Sequence, residues 1–260
     1  MGSLCRVDEQ ERAAQYDRVF PRVAGNPLLR DLHRQVLGEE YPEGLDVTGA
    51  CTQTTLNRAR DGLGLADGKL LIDLGCGLGG PGRWLARETG ARLLGIDISQ
   101  AATDIAARSA DGYLKPGQYE YRRGSFAATG LPDGYADAVI CIEALPMAQD
   151  RVVALTEIRR ILRPGGRAMI TVGERQGPGE PPLRWDPLIE QAGLTVLRRY
   201  EDPTKHQRWL AICAAYLDHS AELRESLGDL AQEFLDDARD APLNWGIPGR
   251  IGVQFILERD

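Results

Sequence analysis

The residues best suited to chemistry lie in a glycine-rich segment in the first third of the chain. It reads Asp73-Leu74-Gly75-Cys76-Gly77-Leu78-Gly79-Gly80 and stands between a short apolar run and a pattern typical of a helix. Glycine is required where a ligand approaches the main chain more closely than a Cβ atom allows, or where φ is positive. A loop of this kind that precedes a helix also directs free N–H groups toward a polar ligand. The segment therefore predicts a binding site.

An acidic residue follows this loop at a distance at which it could share the same ligand. Gly75, Gly77 and Gly80 satisfy the spacing G-x-G-x-x-G. Asp97 closes the next apolar run, about 20 residues further on, where an acid accepts hydrogen bonds from ribose hydroxyls. Such an acid would serve NAD or S-adenosylmethionine equally well. The glycines and the acid alone therefore leave both ligands open, together with a purely structural tight turn followed by a surface aspartate.

The elements that must position these residues alternate along the middle of the chain. Short apolar runs bounded by turn residues predict strands at 69–75, 91–97, 119–123, within 137–145, and at 167–172, 194–200 and 252–257. Helical patterns predict helices between them at 81–88, 99–109, 152–162 and 187–192, the third of them ended by Pro164-Gly165-Gly166. This alternation predicts a doubly wound α/β fold with a mostly parallel, seven-stranded sheet.

Two helical segments stand outside this pattern. Residues 1–65, with helices expected from Val7 to Phe20, from Leu28 to Leu37 and after Thr52, predict an N-terminal helical cap on an α/β core at 66–203. Residues 204–245 predict a helical insertion before the last strand, which lies in 246–260. Because such an insertion does not help to build the sheet, we interpret it as a lid.

Composition argues against several classes of function. The net charge is −7 and no block of consecutive basic residues occurs, which disfavours nucleic acids and anionic membrane surfaces as partners. The five cysteines show no C-x-x-C spacing, so we expect reduced thiols and no metal site. The chain turns charged before any apolar run, and no apolar stretch approaches the ~20 residues that span a bilayer. We therefore expect a cytoplasmic protein, and the oligomeric state stays open.

Four ordered segments resemble the motifs of class I S-adenosylmethionine-dependent methyltransferases. IDLGCGLGGPGRWLA is similar to the first motif, LLGIDIS to the second, SFAATGLPDGYADAVICIEAL to the third and fourth, and EIRRILRPGGRAMIT to the helix, turn and strand beyond. The N-terminal helices and the late insertion also resemble bacterial small-molecule methyltransferases of the natural-product and quinone-biosynthesis type. The resemblance implies methyl transfer from S-adenosylmethionine to a small-molecule acceptor, in bacterial secondary metabolism.

The resemblance further implies a set of cofactor-binding residues. They are Gly75, Cys76 and Gly77 beside the methionine part, Asp97 on the ribose hydroxyls, Ile98, Ser125 and Phe126 around the adenine, Cys141 and Ile142 beside the sulfonium, and Tyr16 over the cofactor from the first helix. Ser125 departs from the family, since many members carry an acid at this position. For Tyr16 the alternative is a residue of an amphipathic helix that packs on the core.

The catalytic residues follow less directly, because relatives carry histidines after the fourth motif where this chain has Pro146 and Met147. Glu143 is expected to act as a base or to anchor the acceptor, unless it only holds a loop. His206 is the histidine candidate, its alternative being a solvated residue at a helix start.

Two other functions compete with methyl transfer. An NAD(P)-dependent oxidoreductase is disfavoured because the chain has no Tyr-x-x-x-Lys pair and because the segment from Leu162 to Gly166 fits the methyltransferase pattern. A non-methylating cyclase or binding protein that keeps the cofactor pocket stays open, because the histidines are missing.

Overall fold

The apolar runs of the middle of the chain form one mixed sheet. The computed structural model describes residues 8–46, 49–175 and 182–260, and within these residues the sheet has seven strands. The strands are β1 (Leu70–Leu74), β2 (Arg92–Asp97), β3 (Tyr119–Arg123), β4 (Ala136–Cys141), β5 (Leu162–Arg175), β6 (Thr195–Asp202) and β7 (Arg250–Glu258). Their order is β3-β2-β1-β4-β5-β7-β6, and only β7 runs antiparallel to its neighbours. The predicted doubly wound, mostly parallel, seven-stranded α/β fold is confirmed.

Helices cover both faces of this sheet and extend beyond its carboxyl edge. They are α1 (Glu9–Val23), α2 (Pro27–Leu37), α3 (Gln53–Gly62), α4 (Gly80–Thr89), α5 (Gln100–Ala110), α6 (Arg151–Ile161), α7 (Asp186–Gln191), α8 (Lys205–Asp218), α9 (Ser220–Leu227) and α10 (Ala231–Trp245). Val7, at which the first helix was predicted to begin, lies outside the described residues. Two of the starts carry the predicted caps: Thr52 accepts a hydrogen bond from the N–H of Thr55, and Ser99 accepts one from Ala102.

Three apolar cores hold these layers together. One core packs α6 and α7 on one face of the sheet, and a second packs α3, α4 and α5 on the other. The third lies away from the sheet, where α1 and α2 pack against the three helices between β6 and β7. This third core contains Val23, Leu29, Leu32, Ile212, Leu223 and Leu235. The predicted cap and insertion segments are thus packed against each other.

One predicted boundary is wrong. Pro164-Gly165-Gly166 was expected to end a helix and precede a strand from Arg167, but α6 ends at Ile161 and β5 already begins at Leu162. Leu162 pairs with Ala136 before a shift in register returns the pairing at Arg167. The turn residues therefore interrupt the ladder within the strand, where an irregularity accommodates a proline that cannot donate a hydrogen bond.

Candidate active site

A cavity of about 490 Å³ lies beyond the carboxyl ends of β1, β2 and β4. Its volume is within the roughly 300–1,000 Å³ typical of small-molecule sites. The sheet side is lined by the glycine loop, by Asp97 and Ile98, and by Ile142 and Glu143. The opposite side is lined by residues of α1, α2, α8 and α10. In open α/β sheets ligands bind at this edge, next to the strand at which the winding reverses, here β1.

The glycine loop has a conformation that favours glycine, most strongly at Gly75. The φ angles of Gly75 and Gly77 are +76° and +50°. A Cβ atom at Gly75 would stand 2.5 Å from the Cβ of Ala144. The loop is also anchored to the neighbouring strand, because the N–H groups of Gly75 and Cys76 both donate to the carbonyl oxygen of Ile96, at 2.7 and 3.1 Å. The loop backbone therefore has no side chain at the glycines between it and the cavity, and hydrogen bonds to β2 anchor it on the other side.

Two buried carboxyl groups accept hydrogen bonds from backbone N–H groups of the glycine loop and of the helix starts beside it. Asp73, which is 2% exposed, accepts a hydrogen bond from the N–H of Gly82 at 3.0 Å. Asp97, which is 7% exposed, accepts from Gly77 at 2.8 Å and from Ser99 at 3.0 Å. Burial raises the pKa of Asp73 to about 7, and burial likewise raises the pKa of Asp97.

This arrangement separates the two ligand classes that the sequence left open. A dinucleotide places an anionic diphosphate on free N–H groups at a helix start. Here two of the amides of the loop and first turn, those of Gly77 and Gly82, already bind carboxylates, so a diphosphate would meet negative charge. A positively charged sulfonium would instead be attracted to it. The cradle therefore fits a cationic nucleoside cofactor such as S-adenosylmethionine better than NAD.

Helix α1 brings two aromatic side chains to the glycine loop. The rings of Tyr16 and Phe20 lie 5.3 Å apart, and Phe20 Cζ is 3.5 Å from the place of a Cβ on Gly77. The helix is held on α5 by Asp17, whose carboxylate accepts from Ser99 Oγ at 2.6 Å and from the N–H of Ala101 at 3.0 Å. Phe20 was not predicted to be a site residue, although its spacing of four residues from Tyr16 places it on the same helix face.

Two of the predicted cofactor residues do not line the cavity. Cys141, the last residue of β4, is fully buried within the core of the sheet, whereas Ile142, which was predicted together with it, lines the cavity. Ser125 Oγ donates to a carboxylate oxygen of Glu9 at 2.6 Å and is not among the residues that line the cavity. Both residues thus lie outside the cavity wall, and their contact with the cofactor stays a prediction. The other predicted cofactor residues line the cavity together: Tyr16, Gly75, Cys76, Gly77, Asp97, Ile98 and Phe126.

Glu143 lies at the cavity wall in a strained conformation. Among the described residues it alone has a positive φ without being glycine, at +60°. Such a conformation costs on the order of 1–3 kcal/mol and persists where the surroundings enforce it. Thr171 does so: its hydroxyl accepts from the N–H of Glu143 at 2.7 Å and donates to Oε1 at 2.9 Å. The Nζ of Lys205 binds the same Oε1 at 2.8 Å. Neither Lys205 nor Thr171 was predicted from the sequence to be a site residue.

His206 lines the cavity beside Lys205, but its ring nitrogens are hidden. Neither nitrogen has a hydrogen-bond partner, and both are buried. The ring stacks on Trp245 with centroids 6.0 Å apart, and Trp209 meets Trp245 edge-on. Burial, and then the nearby charges of Arg250 and Lys205, lower the pKa of His206 to about 4. The imidazole is therefore neutral at pH 7, and it contributes ring surface to the cavity in this conformation.

A second histidine, which the sequence analysis did not select, also lines the cavity. His33 Nε2 lies 2.7 Å from the hydroxyl of Tyr216, so the pair links α2 to α8. Burial lowers the pKa of His33 to about 4. Among the described residues, no group of three or more His, Cys, Asp or Glu side chains could hold a metal ion.

Comparisons with known sequences point to one family. A family described as "Methyltransferase domain" matches residues 72–170. YdaC of Bacillus subtilis, an uncharacterized methyltransferase, is 32% identical over 133 residues, which cover 50% of this chain and 67% of YdaC. Methyltransferase GfsG of Streptomyces halstedii is 27% identical over 172 residues, which cover 65% of this chain and 60% of GfsG. The chain also matches fungal sterol 24-C-methyltransferases, of which it spans only about a quarter (27%) of the length.

Solved structures share the fold over nearly the whole chain. The [4+2]-cyclase SpnF superimposes with a TM-score of 0.74 at 19% identity, with 96% of each chain covered. The likeness therefore includes the N-terminal helices and the helices before the last strand.

No helix of the described residues is both long and apolar enough to cross a membrane.

Proposed function

The chain belongs to the class I S-adenosylmethionine-dependent methyltransferases, and we propose that it transfers a methyl group from this cofactor to a small molecule bound in the cavity. The observation that carries the proposal is the continuity of one cavity from the glycine loop and Asp97 to Glu143. One part of that cavity suits a cationic nucleoside. The other part has the carboxylate of Glu143 on the sheet side and, among the side chains opposite, several apolar ones.

The cofactor's place follows from the residues around the loop. Gly75 and Gly77 would let it approach the main chain, Asp97 would hold its ribose, and Ile98 and Phe126 would lie against its adenine. When bound, the cofactor supplies a methyl group on a sulfonium, and transfer leaves a neutral thioether while the acceptor atom gives up a proton. The negative charge of Asp97, which lines the cavity, favours the charged form of the cofactor over the neutral product that remains after transfer.

The chain's own contribution is mainly orientation and exclusion of water. Holding two reactants in line can supply roughly 7–11 kcal/mol of a reaction barrier. We propose that α1 and α2 form a cap and that α8 to α10 form a lid, which together enclose the acceptor. Glu143 would anchor the acceptor or take up its proton, since Ala144, the next residue, packs against Gly75. His206, being neutral and hidden, would shape the lid beside Trp209.

Transfer of labelled methyl groups tests the proposal. The protein would be incubated with S-adenosylmethionine carrying a tritiated methyl group and a panel of apolar alcohols, phenols and amines. Label in an extracted small molecule, together with an equal amount of S-adenosylhomocysteine, is the expected result. Cofactor binding without transfer to any member of the panel would contradict the proposal and favour a non-methylating cyclase or binding protein, since the fold is shared with the cyclase SpnF.

The setting of the reaction is a further part of the proposal. We infer that the acceptor belongs to bacterial secondary metabolism, which the resemblance of the N-terminal helices and the late insertion to natural-product enzymes supports. The similarity to GfsG from a Streptomyces species is in keeping with it.

A further inference from the structure

We propose that the acceptor is a mainly apolar molecule that presents an uncharged hydroxyl group to the ion pair of Glu143 and Lys205. The inference rests on the proposed function, because it names the class of acceptor that the same site would take. It is carried by the geometry of the ion pair, by the charge of the pair as a whole and by the side chains that face it.

The ion pair leaves one carboxylate oxygen free. Lys205 Nζ and Thr171 Oγ1 both donate to Oε1 of Glu143, at 2.8 and 2.9 Å. Among the described residues, Oε2 of Glu143 accepts no hydrogen bond. Glu143 and Lys205 both line the cavity, with side chains 26% and 15% exposed. A ligand therefore meets an unused acceptor oxygen beside an ammonium group that retains two further N–H donors.

Both partners are held where the fold alone would not favour them. The positive φ of Glu143 is stabilised by two hydrogen bonds to Thr171, which is itself 2% exposed. Lys205 is the first residue of α8, where the helix dipole favours anions and disfavours cations. The strained backbone of Glu143 and the unfavourably placed charge of Lys205 therefore lie next to each other, and such a coincidence is typical of a functional site.

The charge of the pair selects the kind of polar group. The pair carries no net charge, so a neutral ligand group does not disturb the balance between its positive and negative charges. A hydroxyl can donate to Oε2 of Glu143 and accept from Nζ of Lys205 at the same time. An ammonium group would be repelled by Lys205, and a carboxylate by Glu143. Either charged group would also lose hydration on approach to a pair whose two charges already balance each other.

The walls opposite the pair select the body of the acceptor. Their apolar part includes Val19, Leu29, Trp209, Phe234 and Trp245, and the same helices also contribute charged side chains such as Arg30, Glu233 and Asp237. The ion pair lies at the end of this chamber that adjoins the glycine loop, because Ala144 contacts Gly75 directly after Glu143. An apolar molecule that fills the chamber would thus direct its hydroxyl toward the cofactor.

A matched series of ligands tests the inference by binding alone. Cyclododecanol, cyclododecylamine and cyclododecanecarboxylate share one apolar ring and differ in the group presented. Binding is measured at pH 7.5, without cofactor, from the fluorescence of Trp209 and Trp245, which line the cavity. Trp84 and Trp185 lie in the cores of the sheet and provide a constant background. The wild-type protein is expected to bind the alcohol at least tenfold more tightly than the amine or the acid.

Charge-removing variants should change this order in opposite directions. Lys205→Met leaves Glu143 unpaired, so the amine should gain at least tenfold relative to the alcohol. Glu143→Gln leaves Lys205 unpaired, so the acid should gain by a similar factor. Lys115→Met, which removes an exposed lysine outside the cavity, serves as the control and should keep the wild-type order. The two variants test opposite charges, so one that folds, as checked by thermal melting, is sufficient.

The result that overturns the inference is an unchanged order in the variants, or a wild-type protein that binds the alcohol no better than its charged analogues. Calorimetry with S-adenosylhomocysteine on the same proteins separates this failure from that of the proposed function. Lost ligand selectivity with intact cofactor binding would refute the acceptor class alone. Absent cofactor binding with the expected selectivity would refute the proposed function and leave the hydroxyl preference of the cavity standing.

Discussion

Replacement of Asp97 should weaken cofactor binding in a graded way. Its buried carboxylate accepts from the N–H groups of Gly77 and Ser99, and it faces the cavity beside the glycine loop. Asp97→Ala removes the charge and both acceptor oxygens. Asp97→Asn keeps one acceptor oxygen, but its amide N–H₂ group then faces a backbone N–H. The asparagine variant should therefore be intermediate between the wild-type protein and the alanine variant.

The magnitude follows from the bonds that are lost. A hydrogen bond to a charged group contributes about 1.5–3 kcal/mol, and a factor of ten in affinity corresponds to about 1.4 kcal/mol. If the carboxylate also binds the two ribose hydroxyls, loss of even one such bond lowers the affinity at least tenfold. Asp97→Ala should lower it by about a hundredfold or more, since two bonds are lost and the loop loses its support.

Titration calorimetry with S-adenosylhomocysteine measures these affinities directly. Asp104→Asn, an exposed aspartate on α5 that binds Gln100, is the matched control and should bind as the wild-type protein does. Thermal melting of each variant shows whether the fold is intact. Unchanged affinity in both Asp97 variants would refute the assignment of this residue to the ribose and leave it a purely structural role in the loop.

Three further predictions follow from the same site. Gly75→Ala should abolish cofactor binding, because its Cβ would stand 2.5 Å from Ala144. Gly112→Ala, at a similar φ with nothing within 4 Å, should bind normally, and equal binding by both would contradict the reasoning. The pKa of Asp73 in the folded protein, about 7, lies above its ordinary value of 3.8, so its stabilising contribution is complete below about pH 4 and is lost as the pH rises through 7. Asp73→Asn removes this pH dependence. The free energy of unfolding of the variant, relative to that of the wild-type protein, should therefore be higher at pH 8 than at pH 5 by roughly 2–3 kcal/mol. Equal effects of the substitution in denaturant titrations at the two pH values would refute this. Trp209→Ala should impair turnover while cofactor affinity stays within about threefold, which is under roughly 1 kcal/mol. A sharp fall in melting temperature, with weakened cofactor binding, would instead make Trp209 a core residue.

Features encoded by contiguous residues could be predicted from the sequence. The glycine loop and Asp97 close neighbouring strands, so their approach at one edge of a parallel sheet follows from the alternation of strands and helices. The caps at Thr52 and Ser99 are equally local, because each hydroxyl reaches an N–H group three residues further along the chain.

Residues that meet from distant parts of the chain could not be predicted in this way. Lys205 reaches Glu143 from a helix that begins 62 residues later, and no spacing in the sequence records that approach. The link between His33 and Tyr216 joins α2 to α8 over 183 residues. Cys141 and Ile142 were predicted side by side at the sulfonium, and only Ile142 lines the cavity, because neighbouring side chains at a strand end point to opposite faces of the sheet.

Calorimetric comparison of S-adenosylmethionine with NAD tests the central claim most directly. Asp73 and Asp97 accept hydrogen bonds from N–H groups that a diphosphate would need, and the carboxylate of Asp97, which lines the cavity, attracts a sulfonium. We therefore predict that S-adenosylmethionine binds with a dissociation constant near the micromolar range, about −8 kcal/mol, and that NAD binds far more weakly. Tight binding of NAD, with no heat from S-adenosylmethionine, would contradict the account.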